Sequence, residues 1–162
     1  MASVKNNSVN GVSYYLNRPP NTYDLKQDFT LSDGGLIKLS YKFQKETSSP
    51  LPNDMLFLFT GILGSDQSLY IANIIEEASK RNYDICVVSY RGMSGAPIVT
   101  PKLYNSLSFH DIHEPMQYVI KEFCALKNQR AYGLGCSLGA KILANYLGEY
   151  EDLAVLDGGV CL

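Results

Sequence analysis

Runs and spacings of apolar residues divide the chain into alternating strand and helix signals. Residues 25–31 and 36–43 read as two strands, and Ser32-Asp33-Gly34-Gly35 between them has the turn chemistry of an antiparallel hairpin. From Met55 the pattern changes. Residues 55–59 are continuously apolar, as in a strand covered on both faces, and Gly61 and Gly64 break the run. Ile71, Ile74, Ile75 and Ala78 then fall at the spacing of one helix face, predicting an amphipathic helix over 68–81. Residues 84–90, with Ile85, Val87 and Val88, predict the next strand, and a loop rich in Gly, Ser and Pro follows to about Ser108.

Asp111 with Glu114 resembles a capping box, which sets a helix start near Asp111 whose buried stripe is Met116, Val119, Ile120 and Phe123. Pro115 fits that helix only near its first turn. Residues 129–136 predict a strand and 138–147 a third helix ended by Gly148. A last strand begins at 153–156, with Asp157 at its end. A hairpin followed by alternating strands and helices implies a three-layer α/β/α sandwich whose sheet is mostly parallel. Ligands in such sheets bind at the carboxyl edge of the parallel strands. All three Gly-rich loops, 60–64, 91–97 and 135–139, are expected there.

The 162 residues, 46 % hydrophobic, suit one domain, with residues 1–23 as a loosely ordered lead-in and 24–162 as the folded part. A net charge of −2 with scattered lysines and arginines excludes a basic stripe, so no nucleic-acid partner is expected. The four cysteines, Cys86, Cys124, Cys136 and Cys161, form no C-x-x-C pair and have no histidine cluster beside them. They predict free thiols in a reducing compartment and no metal. The polar first twenty residues lack the apolar core of an export signal, and no apolar run approaches the ~20 residues that span a bilayer. A cytoplasmic location is expected, with peripheral membrane contact open.

Chemistry concentrates at Gly135-Cys136-Ser137-Leu138-Gly139, which joins a strand to a helix as a nucleophile elbow does. A serine hydroxyl is a weak nucleophile, so an enzyme presents it on a tight turn within reach of a base and of oxyanion donors. Gly135 is expected to pack beneath Ser137 and Gly139 to bring the helix close to the strand. Cys136 is expected to turn into the sheet as a buried structural thiol.

From about Asp24 onward the chain resembles the α/β-hydrolase superfamily, and within it the YheT-like branch also called AB hydrolase family 4. Ser89-Tyr90-Arg91-Gly92-Met93-Ser94-Gly95-Ala96-Pro97 and Thr100-Pro101-Lys102-Leu103-Tyr104 are similar to that branch's arginine-glycine loop and the segment after it. Thr60-Gly61-Ile62-Leu63-Gly64 resembles its Pro-Gly-Leu-Thr-Gly, with Thr60 in place of the proline. The segments from Gly135 to Ala140 and from Asn145 to Gly148 resemble its elbow and following helix, and Asp111 matches a frequent acidic position. The resemblance implies an incomplete α/β-hydrolase fold, with Ser137 as nucleophile and the backbone N–H groups of Ile62 and Leu138 as oxyanion hole. It implies hydrolysis of carboxylic esters, monoacylglycerols and other lipid esters among them, without a cofactor. Gly61 and Arg91 become candidates for the substrate loop, although an arginine there also serves as a structural donor to backbone carbonyls.

The superfamily's triad runs Ser, then Asp or Glu, then His. After Ser137 come Glu149, Glu151, Asp152 and Asp157, and no histidine. The chain is therefore expected to be a fragment or truncated product with little activity alone. His110 and His113 are weighed as substitute bases against a solvated place at a helix start, and Asp157 as the acid. Two other readings stay open. One is a non-catalytic half-hydrolase that binds a lipid or a protein, or associates with itself through an unpaired last strand. The other is a dinucleotide site at Gly133-Leu134-Gly135 and Gly139, with Asp157 as its ribose acid.

Overall fold

The computed structural model describes residues 19–45, 53–125 and 128–162. Most of the expected lead-in, residues 1–18, lies outside the described residues. Among the described residues six strands form one sheet: β1 (Leu25–Thr30), β2 (Leu36–Lys42), β3 (Met55–Phe59), β4 (Asp84–Ser89), β5 (Ala131–Gly135) and β6 (Gly158–Cys161). Their order is β1-β2-β4-β3-β5-β6. β1 pairs antiparallel with β2 and β2 with β4, while β3, β4, β5 and β6 run parallel. The hairpin thus leads into a parallel sheet, as expected.

Both faces of β3 and β4 are covered, apart from Leu56. Met55, Phe57, Phe59, Cys86 and Val88 meet α2 (His110–Val119) and α3 (Leu138–Tyr150) on one side, through Ile112, Met116, Ile142 and Leu143. Leu58, Ile85 and Val87 meet Ile71 and Ala78 of α1 (Leu69–Ser79) on the other. This double coverage is why residues 55–59 carry no polar alternation. α1 covers only part of its face. Beyond it, Leu56, Ile74, Tyr132, Leu134 and Val160 line an open apolar groove of about 540 Å³ above β5 and β6.

Four expectations are corrected. α3 runs through Gly148 to Tyr150, where Glu151 turns at φ 45°; a Cβ on Gly148 would meet nothing, so that glycine sits on a solvent face and breaks no packing. The apolar residues 153–156 are not a strand. Glu151–Leu153 form a 3-10 turn, and Ala154, Val155 and Leu156 pack against the core while the chain returns to the start of β5. The strand begins only at Gly158, opposite Tyr132, so among the described residues the last strand, with its outer side unpaired, is Gly158–Cys161. The supposed capping box does not form: Phe109 is the N-cap residue, the Asp111 carboxylate binds Arg91, and Glu114 accepts from Ser32. Pro115 lies in the second turn of α2, not the first.

Candidate functional site

β3, β4 and β5 end at one edge, and the loops that follow them converge there. Ser137 stands between β5 and α3, exposed, at φ 54° and ψ −112°. A non-glycine residue rarely holds that conformation, at about 1–3 kcal/mol, unless its surroundings impose it. Here they do. The Cys136 N–H donates to the Phe59 carbonyl at 3.0 Å, the Ser137 N–H to the Leu162 carbonyl at 2.8 Å, and the Leu162 N–H to the Gly135 carbonyl at 2.9 Å. The glycines allow the close approach: a Cβ on Gly135 would lie 2.5 Å from the Gly139 carbonyl oxygen, and one on Gly139 would run into the Phe59 and Thr60 carbonyls.

The loop after β3 leans on this turn. A Cβ on Gly61 would sit 3.4 Å from the Ser137 Cβ. Thr60, standing where the resemblance expects proline, donates its hydroxyl to the Gly64 carbonyl at 3.3 Å and closes the loop by other means. The Gly61 N–H donates to the Tyr70 hydroxyl at 2.8 Å and the Leu63 N–H to the Tyr104 hydroxyl at 3.0 Å. Among the described residues, the Ile62 N–H has no acceptor. Leu138 opens α3, so its N–H is one of that helix's unpaired donors, at the positive end of the helix dipole. The arrangement offers an exposed hydroxyl and two unpaired amide donors at one edge, which suits an anionic oxygen more than any cation.

Ile62 and Leu63, on the loop beside Ser137, are 69 % and 78 % exposed, and Leu103 and Leu107, on the loop after β4, are 62 % and 66 % exposed. Cys136 is only half-buried, and burial raises its thiol pKa, which disfavours a reactive thiolate. The four cysteines are free, as expected.

Arg91 donates to side chains and not to backbone carbonyls. Its side chain is 2 % exposed and its guanidinium is occupied: Nε and Nη2 donate to the Asp111 carboxylate at 2.6 and 2.8 Å. Nη2 also donates to both Asp33 oxygens at 2.9 and 2.8 Å, and Nη1 to Thr100 at 3.1 Å. The backbone N–H of Gly35, then Arg91, hold the Asp33 carboxyl at about 2. The cluster ties the hairpin turn to the loop after β4 and to α2. Nothing local in the sequence signals it, since the partners lie 58 and 20 residues from Arg91.

The histidines do not reach Ser137. His110 Nδ1 is 3.0 Å from the Tyr150 hydroxyl, His113 Nδ1 is 3.4 Å from that of Tyr146, and the His113 ring stacks on Tyr150 at 4.0 Å. Tyr150 ends a 13-residue helix that Ser137 begins, about 20 Å away at the rise of an α-helix. His110 is exposed, as a solvated helix-start histidine would be, while His113 is half-buried, and burial first, then His110, lower its pKa. Asp157 precedes β6, at the opposite edge, and accepts the Ala131 N–H at 2.7 Å. It is remote from Ser137 and cannot serve as a ribose acid at a strand's carboxyl end. Among the described residues no group of His, Cys, Asp and Glu is arranged to hold a metal, and no helix is long and apolar enough to cross a membrane.

No protein-family model matches the chain. It is 33 % identical over 123 residues to a monoacylglycerol lipase of Saccharomyces cerevisiae, covering 73 % of this chain and 27 % of that one. It is 30 % identical over 130 residues to the putative esterase YheT of Escherichia coli, covering 80 % and 37 %. An esterase of Pyrococcus furiosus superposes with a TM-score of 0.67 at 14 % identity, over 99 % of this chain and 56 % of that one. The chain spans about 30 % of the length of the curated relatives it matches.

Proposed function

Because the chain belongs to the α/β-hydrolase superfamily, in its YheT-like branch, we propose that it supplies the nucleophile and the oxyanion hole of a serine esterase acting on lipid esters. The observation that carries this reading is the backbone of Ser137: an exposed serine at φ 54° on a glycine-flanked turn, with Gly61 packed against its Cβ. Ser137 Oγ attacks the ester carbonyl carbon, and the carbonyl oxygen takes the negative charge. The N–H groups of Ile62 and Leu138 then donate to that oxygen, each contributing about 3–4 kcal/mol by analogy with other oxyanion donors. Collapse of the tetrahedral species expels the alcohol and leaves the acyl group on Oγ.

The Oγ proton must pass to a base that then returns it, as an acid, to the departing alcohol oxygen, and no histidine follows Ser137 in the sequence. On this reading the chain is the nucleophile-bearing portion of a hydrolase, and turnover by these 162 residues alone is slow. The exposed apolar side chains of Ile62, Leu63, Leu103 and Leu107 favour an acyl chain, and with it contact at a lipid surface. Fluorophosphonate labelling followed by peptide mapping tests the proposal. The adduct is expected on Ser137 and is lost in Ser137→Ala; equal labelling of that variant removes Ser137 from the chemistry. Turnover of p-nitrophenyl esters of several chain lengths then reads acyl preference.

A further inference from the structure

Resting on that reading of Ser137, we infer that Tyr70 and Tyr104 are positioning residues that clamp the loop after β3 so that only the Ile62 N–H faces the reacting oxygen. The loop carries three consecutive amides at Gly61, Ile62 and Leu63. A short loop rich in glycine presents such donors in several orientations unless something selects one. Two phenols do so here. Tyr70, on the first turn of α1, takes the Gly61 N–H at 2.8 Å. Tyr104, from the loop after β4, takes the Leu63 N–H at 3.0 Å.

The clamps are themselves fixed. The Tyr104 ring stacks on Tyr90 with centroids 4.9 Å apart, and Tyr90, 1 % exposed, donates its hydroxyl to the Thr60 carbonyl at 3.3 Å. Gly64 lies so close that a Cβ there would sit 2.5 Å from the Tyr70 hydroxyl, which accounts for glycine at that position. The outer amides of the triplet are thus satisfied by side chains from two different elements. The middle one is left without an acceptor, on the loop that touches Ser137. A donor fixed in advance stabilises a developing anion without reorganising during the reaction. Tyrosine rather than phenylalanine is needed at 70 and 104, since the ring alone would leave both amides to water.

Amide hydrogen exchange on the 15N-labelled chain, with Tyr70→Phe and Tyr104→Phe, tests the clamp independently of activity. Exchange at Gly61 in the first variant and at Leu63 in the second is expected to quicken about three- to tenfold while Phe57 and Leu58 in β3 stay unchanged. Fluorophosphonate labelling, in which Ser137 Oγ replaces fluoride while the P=O oxygen occupies the hole, is expected to slow by a similar factor in each variant. Unchanged exchange at Gly61 and Leu63 overturns the clamp. Faster exchange with labelling at the parent rate overturns its link to the hole. If the parent chain is not labelled even at raised pH, where hydroxide takes the Oγ proton in place of a histidine, the reading of Ser137 fails, and the exchange data alone uphold or overturn the clamp.

Discussion

Arg91 and Asp111 are buried to 2 % and 3 % exposure and joined at 2.6 Å, so removing either strands the other in the interior. Arg91→Met leaves the Asp111 carboxylate with Lys102 alone, 3.6 Å away and half exposed. Breaking a buried pair costs about 3–5 kcal/mol, and the nearby lysine places this case near the lower end, at about 3 kcal/mol. Asp111→Leu leaves the guanidinium with Asp33 and Thr100, and about 2 kcal/mol is expected because the surviving Asp33 carboxylate is 39 % exposed and screened. Joining Arg91→Met to Asp111→Leu removes both buried charges, and the double variant is expected within about 1 kcal/mol of the parent, because a well-packed apolar pair is commonly neutral or better. The chain has no tryptophan, so urea unfolding of the four proteins is followed by far-ultraviolet circular dichroism. The cycle then yields a coupling of roughly 4 kcal/mol. Additive losses, with a double variant near 5 kcal/mol below the parent, would refute the argument that desolvation of an unpaired charge dominates here.

Gly35→Ala places a Cβ inside the Arg91 guanidinium and is expected to cost at least about 2 kcal/mol in the same urea assay, through loss of part of that network. Gly139→Ala drives a Cβ into the Phe59 and Thr60 carbonyls; fluorophosphonate labelling of Ser137 is expected to fall sharply even in molecules that still unfold cooperatively. His113 is held below its ordinary 6.5 by burial and by His110, against an opposing pull from Glu114. Its neutral form favours the folded state, so this contribution is complete above pH 6.5 and is lost as pH falls towards the lowered value. His113→Phe, which keeps a ring between Tyr146 and Tyr150, is expected to flatten that part of the stability profile. Val160→Lys places a charge in the groove beside β6 and is expected to reduce any concentration-dependent association seen by sedimentation.

The elements that sequence alone revealed are those whose cause is local. Residues 55–59 read as a strand because two covered faces leave no polar position, and the glycines around Ser137 read as an elbow because only their absent Cβ atoms let strand and helix meet. Features set by distant partners stayed hidden. Asp111 and Glu114 have the spacing of a cap, yet both carboxylates are drawn to partners in the loop after β4 and in the hairpin turn. Residues 153–156 are apolar enough for a strand, but a parallel strand must start level with Tyr132, so that segment becomes the return path. Tyr70 and Tyr104 are two of twelve tyrosines, and only the folded loop singles them out.

The elbow's outer brace is Leu162, at the end of a four-residue strand whose far side has no partner among the described residues. Fraying from that side reaches the hydroxyl-bearing bend within one residue, so whatever zips onto Gly158–Cys161 would also stiffen Ser137. Reactivity at the serine then becomes a remote gauge of whether the neighbouring border of the sheet is occupied.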